Sequence, residues 1–73
     1  KGSQTQNFLV RTEGYYKTDG LRGIVLYMVN RSTVPQQITA EQIMVQHVIA
    51  AGVTNELVQP GAASRIYIVE EAQ

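Results

Sequence analysis

Few residues in this sequence have the type and spacing that enzyme chemistry requires. His47 is the only histidine and lies in an apolar run, where a lone histidine is more often a packed or surface residue than a base. Glu70 and Glu71 are adjacent, so on a strand their carboxylates point to opposite faces. The sequence contains no glycine-rich phosphate loop, no nucleophile elbow and no cysteine. We therefore expect a protein that is not an enzyme and that uses no cofactor.

Three other patterns have simpler structural interpretations. A metal site needs several well-spaced ligands, and one histidine with dispersed carboxylates does not supply them. Asn30-Arg31-Ser32 matches the N-glycosylation sequon, but it also suits a turn in which the asparagine side chain bonds the backbone two residues on. The rings of Tyr15 and Tyr16 can stack on bases or sugars, although tyrosines beside turns more often pack at the rim of a fold. We expect no metal site, and we interpret Asn30 as a turn residue.

The charge pattern argues against nucleic acid and membranes as direct partners. The chain has six basic and six acidic residues, a formal net charge of zero, and no cluster of lysine and arginine. Nucleic acids and anionic lipids both draw much of their affinity for proteins from such clusters. No apolar run is long enough to cross a bilayer. We expect no direct nucleic-acid contact and no membrane insertion.

The stretch from residue 21 to residue 30, LRGIVLYMVN, organises the rest of the chain. It is too short, and too rich in β-branched and aromatic residues, to be a helix. Alternation places Tyr27 on one face, and Leu26 and Met28 on the other, with apolar neighbours beside each. Apolar residues on both faces predict a central strand that is covered on both sides and needs neighbouring strands.

Shorter segments on either side predict further strands. Asp19-Gly20 and Gln59-Pro60-Gly61 are strong turn signals. Strands are predicted over residues 8–10, 34–38, 44–51 and 64–70, with Gly14 interrupting the first polar stretch. Residues 8–10 also suit one helical turn, and a helix over 40–51 competes with the strand over 44–51. The β-branched residues favour the strand in the second case.

Several short strands with turns between them predict the fold class. It is an all-β fold, a small antiparallel immunoglobulin-like β-sandwich with one short helical turn. The turn is predicted at residues 39–42, TAEQ, which have the spacing of a capping box. Residues 1–20 are predicted to be a flexible or peripheral segment, and residues 21–73 the sandwich domain. A core this small is marginal and no disulfide can supplement it, so we expect support from partner chains or flanking sequence.

The order of these motifs resembles a known family. The motifs are the strand and turn over residues 21–32, ITAEQ at 38–42, the alanine pair at 50–51, LVQPG at 57–61 and RIYIV at 65–69. Together they resemble the C-terminal region of TraK, the secretin-like component of F-type conjugative type IV secretion systems. The resemblance covers residues 20–70 and carries no catalytic signature. The family often has an aromatic pair where this chain has Ile43-Met44, and Pro-Gly where it has Gln46-His47.

The resemblance implies a structural subunit of a DNA-transfer channel. It implies a periplasmic protein associated with the outer membrane, assembled as a ring of copies in the outer-membrane core complex. The implied partners are an outer-membrane lipoprotein (TraV-like) and an inner-membrane-anchored scaffold protein (TraB-like). Two alternatives stay open. One is a stand-alone β-sandwich domain of a virion or an adhesin; the other is a small β-barrel that binds single-stranded nucleic acid, which the neutral charge disfavours.

Pairing at an exposed sheet edge would give such a domain its binding mechanism, because main-chain hydrogen bonds supply affinity and alternating pockets supply selectivity. We hypothesise that the edge strand is either residues 34–38 or residues 64–69. The hypothesised partner contacts are Ile66, Tyr67, Ile68, Tyr27, Val34 and Ile38. The competing interpretation of Ile66, Tyr67, Ile68 and Tyr27 is that they fill the core.

Overall fold

The structure is a computed structural model that describes residues 7–72. Its elements are β1 (Phe8–Thr18), β2 (Leu21–Asn30), β3 (Gln36–Gln37), α1 (Ala40–Ile43), β4 (Val48–Val53), β5 (Leu57–Val58) and β6 (Ala63–Glu71). Four strands form a long sheet in the order β1-β2-β6-β4, and β3 pairs with β5 in a short sheet. All of these pairs are antiparallel. The predicted small all-β sandwich with one helical turn is confirmed.

Strand β2 is interior, as predicted, because β1 pairs along one side of it and β6 along the other. Its Met28 is buried, whereas Val25 and Tyr27 on the opposite face are half-buried. The prediction that both faces of this strand are covered is wrong for residues 7–72. The short sheet and α1 pack on one face only, and the other is shielded by long side chains of its own sheet. We call the face covered by the short sheet and α1 the core face, and the opposite face the open face.

The core lies between the two sheets. Its buried apolar residues are Phe8, Met28, Ile38, Val58 and Ile66. Partly buried side chains that pack against them are Leu26, Ile43, Val53 and Ile68. Because both sheets and α1 contribute, the apolar contact between the layers holds the fold together.

The predicted turns are present. Gly20 and Gly61 both have positive φ, 78° and 81°, the backbone region that favours glycine. The amide of Ala62 donates to the carbonyl oxygen of Gln59 at 2.9 Å, which closes the Pro60-Gly61 turn. The capping box is confirmed as well: the Gln42 amide donates to the Thr39 hydroxyl, and the Thr39 amide donates to the Gln42 side chain.

The helix ends at Ile43, so the competing helix over residues 40–51 is wrong. The strand predicted over 44–51 is shifted: β4 begins at Val48 and continues through Gly52 to Val53. A turn at Gln46-His47 delays its start, and His47 has a φ of 79°. Gly52 does not end the strand because it lies opposite Tyr67 in regular pairing with β6.

The predicted boundary after residue 20 is wrong for residues 8–18. These residues form β1, which pairs with β2 from Phe8 opposite Asn30 to Thr18 opposite Leu21, and Phe8 lies in the core. Gly14 does not separate two segments; the register shifts between Thr12 and Gly14, which is a β-bulge within one strand. Residues 1–6 of the predicted segment lie outside the described residues.

Candidate partner-binding edge

Strand β6 is not an edge strand. It lies between β2 and β4, which pair along its two sides, so the hypothesis that residues 64–69 form a free edge is wrong. Ile66 is 1% exposed and Ile68 packs against the core, so both side chains fill the interior. Tyr67 points to the open face and is 44% exposed, but its main chain is used within the sheet.

The second hypothesised edge, residues 34–38, offers a short template. Only Gln36 and Gln37 form a strand there, and β5 pairs along one side of it. Val34 is 53% exposed, whereas Ile38 is 6% exposed and belongs to the core. The Val34 carbonyl oxygen already accepts a hydrogen bond from the Asn30 side chain. Of the two residues, only Val34 is exposed to a partner.

The edges of the long sheet are β1 and β4. Strand β1 has 11 residues and β4 has 6. The Arg31 amide donates to the Asn7 carbonyl oxygen at 2.8 Å, so the main chain of Asn7 points towards β2. Because direction alternates along an antiparallel strand, the N–H and C=O groups of Phe8, Val10 and Thr12 point away from β2. Within the part of the chain that the structure describes, the first half of β1 therefore presents main-chain groups with no strand beside them.

An apolar groove opens beside the first half of β1 on the core face. It has a volume of about 250 Å³. Val10 of β1 and Ile43 of α1 contribute to its walls, and Leu26 and Ile68 of the long sheet also line it. We call it the β1 groove. It exists because the short sheet and α1 cover only part of the core face, which leaves apolar side chains accessible next to the edge.

A second hollow lies beside the same edge on the open face. It has a volume of about 200 Å³, and we call it the Arg11 hollow. Its lining consists of Leu9, Val10, Arg11, Tyr27 and Val29. Val10 borders both this hollow and the β1 groove. The edge at Val10 is thus flanked by a depression on each face of the sheet.

A row of charged and aromatic side chains crosses the open face. Arg11, Tyr27 and Arg65 lie directly opposite one another on β1, β2 and β6. The Arg11 and Arg65 guanidinium carbons lie 5.3 Å and 5.2 Å from the centre of the Tyr27 ring, within the range of a cation–π contact. Tyr27, hypothesised as a partner contact, is therefore covered by two guanidinium groups of its own sheet.

The two arginines of this row differ in their ion pairing. The Arg65 Nε donates to a Glu13 carboxylate oxygen at 2.7 Å. This hydrogen bond lowers the pKa of Glu13; desolvation opposes the shift, and the charges of Arg65 and Arg11 add to it. The same bond raises the pKa of Arg65. Arg11 forms no ion pair with any residue between 7 and 72.

Asn30 has the turn role that the sequence predicts, and it also joins the two sheets. Its side-chain oxygen accepts hydrogen bonds from the Ser32 amide and hydroxyl at 2.8 Å and 2.7 Å. Its side-chain nitrogen donates to the carbonyl oxygens of Val34 and Val58. Asn30 is 1% exposed, so the sequon nitrogen is buried and occupied by hydrogen bonds.

The sequence patterns singled out the wrong edge. The strand predicted over residues 8–10 is the start of β1, but the interruption at Gly14 hides its continuation to Thr18. Among residues 7–72, no group of three or more histidine, cysteine or acidic residues is arranged to hold a metal ion. No helix in the same range is long and apolar enough to cross a membrane. Comparison of the chain with protein-family models, with curated proteins and with solved structures gives no match.

Proposed function

We propose that this chain is a structural binding module that captures an extended segment of another protein as an added strand beside β1. The proposal rests on two features that occur side by side at the β1 edge. Among residues 7–72 no strand pairs with the outer side of Phe8, Val10 and Thr12, and the apolar β1 groove opens directly beside it. Exposed main-chain groups and an adjacent apolar pocket are the two components of strand addition.

The added strand would complete the sandwich. Its main chain would bond to the outward groups of β1, and each such hydrogen bond contributes about 0.5–1.5 kcal/mol net. Alternate side chains would enter the β1 groove and cover Val10, Leu26 and Ile43, removing apolar surface from water. A core this small gains from that burial in stability as well as in affinity.

Strand β1 suits this role better than β4 does. Strand β4 is shorter, and a register shift between Val48 and Ala50 interrupts its first half. The bulge of β1 lies after Thr12, so residues 8–12 remain regular. Bulges and charged side chains protect natural edges against uncontrolled association, and β1 has both in its second half, with Lys17 near its end.

The resemblance to TraK supports a particular assembly for this module. We propose that the chain acts in the outer-membrane core complex of a conjugative type IV secretion system in the periplasm. In that setting a TraV-like lipoprotein supplies the strand beside β1, and a TraB-like scaffold protein and further copies of the chain complete the ring. The support consists of the motifs over residues 21–69, which supply most of the interior of the fold.

Two proline variants test which edge is used. Proline removes one N–H group and is tolerated at edge positions where that group points outward. Val10→Pro does this on β1. Ala51→Pro is the matched variant on β4, because the Thr54 amide donates to Arg65 and alternation then directs the Ala51 main chain outward.

The measurement is an amide NMR titration of each variant with a TraV-like lipoprotein. We expect residues 8–12 of the wild-type chain and of Ala51→Pro to shift, and Val10→Pro to stay folded with no shift. Shifts in Val10→Pro equal to those of the wild type would overturn the assignment of the edge. A wild-type chain that ignores the lipoprotein but shifts with other components of the core complex would overturn the choice of partner alone.

A further inference from the structure

We propose that the strand captured by β1 carries an acidic residue between two apolar residues, and that Arg11 selects it. This inference rests on the proposed strand addition and specifies the chemistry of the partner. It follows from the charge of the Arg11 hollow and from the register that the edge imposes.

The Arg11 hollow carries a positive charge that has no acidic ion-pair partner within residues 7–72. Two guanidinium groups lie against the Tyr27 ring, and Glu13 forms its ion pair with Arg65 and not with Arg11, although the Glu13 and Arg11 charges also attract. Arg11 forms no ion pair within residues 7–72, and the other residues that line its hollow carry no charge: Leu9, Val10, Tyr27 and Val29. Stacking on a ring orients a guanidinium while its N–H edges stay available, so a carboxylate can bind them in a bidentate manner.

The register determines which partner residue meets Arg11. The main chain of Arg11 points towards β2, because the outward positions are 8, 10 and 12. In an antiparallel added strand, a partner residue opposite Arg11 therefore lies in a non-hydrogen-bonded pair. In such pairs the Cα atoms are only about 4.5 Å apart and the side chains share a face. That face is the open one, where the guanidinium lies.

The neighbours of this acidic residue point the other way. Residues opposite Val10 and Thr12 project from the core face, and there the β1 groove is apolar. The edge thus recognises the sequence pattern apolar–acidic–apolar. A basic residue at the central position would face Arg11 and be rejected, which gives the edge selectivity as well as affinity.

The test uses two capped nine-residue peptides that differ only in the side chain of the central residue. Both have valines beside the central position and threonines beyond them; one has glutamate at the centre and the other glutamine. We expect the wild-type chain to bind the glutamate peptide about fivefold more tightly, the range of a partly shielded ion pair. Dissociation constants come from amide NMR titration, which also reports whether the chain is folded.

Two charge-matched variants complete the test. Arg11→Gln should lose the preference for the glutamate peptide, and Lys17→Gln, which removes the same charge from the same strand, should keep it. Equal binding of both peptides by the wild-type chain, or an unchanged preference in Arg11→Gln, would overturn the selection by Arg11 and leave strand addition intact. Binding of neither peptide by the wild-type chain would instead count against strand addition at β1.

Discussion

The side-chain nitrogen of Asn30 donates a hydrogen bond to the carbonyl oxygen of Val58 at 2.8 Å, and this bond joins the end of β2 to the short sheet. The amide of Asn30 donates to Ala62, and its carbonyl oxygen accepts from Gly61, so main chain and side chain together hold three separate segments. A buried polar side chain with all its groups bonded fixes one arrangement of the surrounding backbone.

Asn30→Ala should strongly destabilise the fold. The substitution removes the side-chain donor to the carbonyl oxygen of Val58 and the acceptor of the Ser32 amide, and each such loss costs about 1–3 kcal/mol, whereas the Val34 carbonyl oxygen still accepts from the Ser32 hydroxyl. We expect a loss of about 3 kcal/mol in the free energy of unfolding, measured by urea denaturation. Asn55→Ala is the matched control, since Asn55 makes one exposed side-chain bond, and it should cost less than about 1 kcal/mol. Equal losses in the two variants would contradict the role of Asn30.

Truncation of two neighbouring residues of β6 should destabilise the fold to very different extents. Ile66→Ala leaves a cavity in the core and should cost about 2–5 kcal/mol in the free energy of unfolding. Tyr67→Ala removes a partly exposed side chain from the open face and should cost less than about 1 kcal/mol. Thermal denaturation followed by circular dichroism measures both. Tyr67→Ala should also leave the proposed strand addition unchanged, because Tyr67 is not on the β1 edge.

The capping box should contribute measurably although α1 is a single turn. Thr39→Ala removes the hydroxyl that accepts from the Gln42 amide, and such a loss costs about 1 kcal/mol. Since α1 carries Ile43 into the β1 groove, the variant should also weaken binding of the added strand. Thr33→Ala, on the exposed loop after β2, is the control and should change neither property.

The pair between Glu13 and Arg65 predicts a dependence of stability on pH. The pKa of Glu13 is lowered in the folded chain, first by the hydrogen bond from Arg65. Its contribution is therefore fully present above the ordinary carboxyl pKa and is lost as the pH falls through the lowered one. Glu13→Gln should remove this part of the acid dependence.

The direct measurement for this pair is an NMR titration of the Glu13 carboxyl group. Its pKa should lie below the ordinary value of 4.5, and Arg65→Gln should move it upward. An unchanged Glu13 pKa in Arg65→Gln would show that the ion pair does not form in solution.

Local signals in the sequence were sufficient for the features that depend on a few adjacent residues. The turn at Pro60-Gly61 and the cap at Thr39 follow from side-chain chemistry within four residues, and the strand around Tyr27 follows from one ten-residue stretch; the structure confirms each of them. The buried turn at Asn30 belongs to the same group, although its bonds to Val58 join residues that no local pattern connects.

The order of strands in the sheet was not predictable in this way. The sequence of residues 64–69 is the same whether a strand pairs with them on one side or on both. Apolar alternation indicates which face of a strand is buried, but it does not indicate whether neighbouring strands pair with its main chain. The bulge before Gly14 hid the full length of β1 for a related reason, since an extra residue breaks the pattern by which a continuous strand is recognised. The edge proposed for binding could therefore be located only from the strand order of the sheet and from the bulge in β1.

Glu13 is the residue that the bulge adds, because Thr12 lies opposite Leu26 and Gly14 opposite Val25, with no β2 position left for Glu13. Pairing on either side would survive the deletion of this single residue, while Arg65 would lose its carboxylate. An insertion or deletion at this point can therefore change the net charge of the open face by one without altering the sheet. Chains that differ by one residue here would share a fold and still prefer partners of different charge.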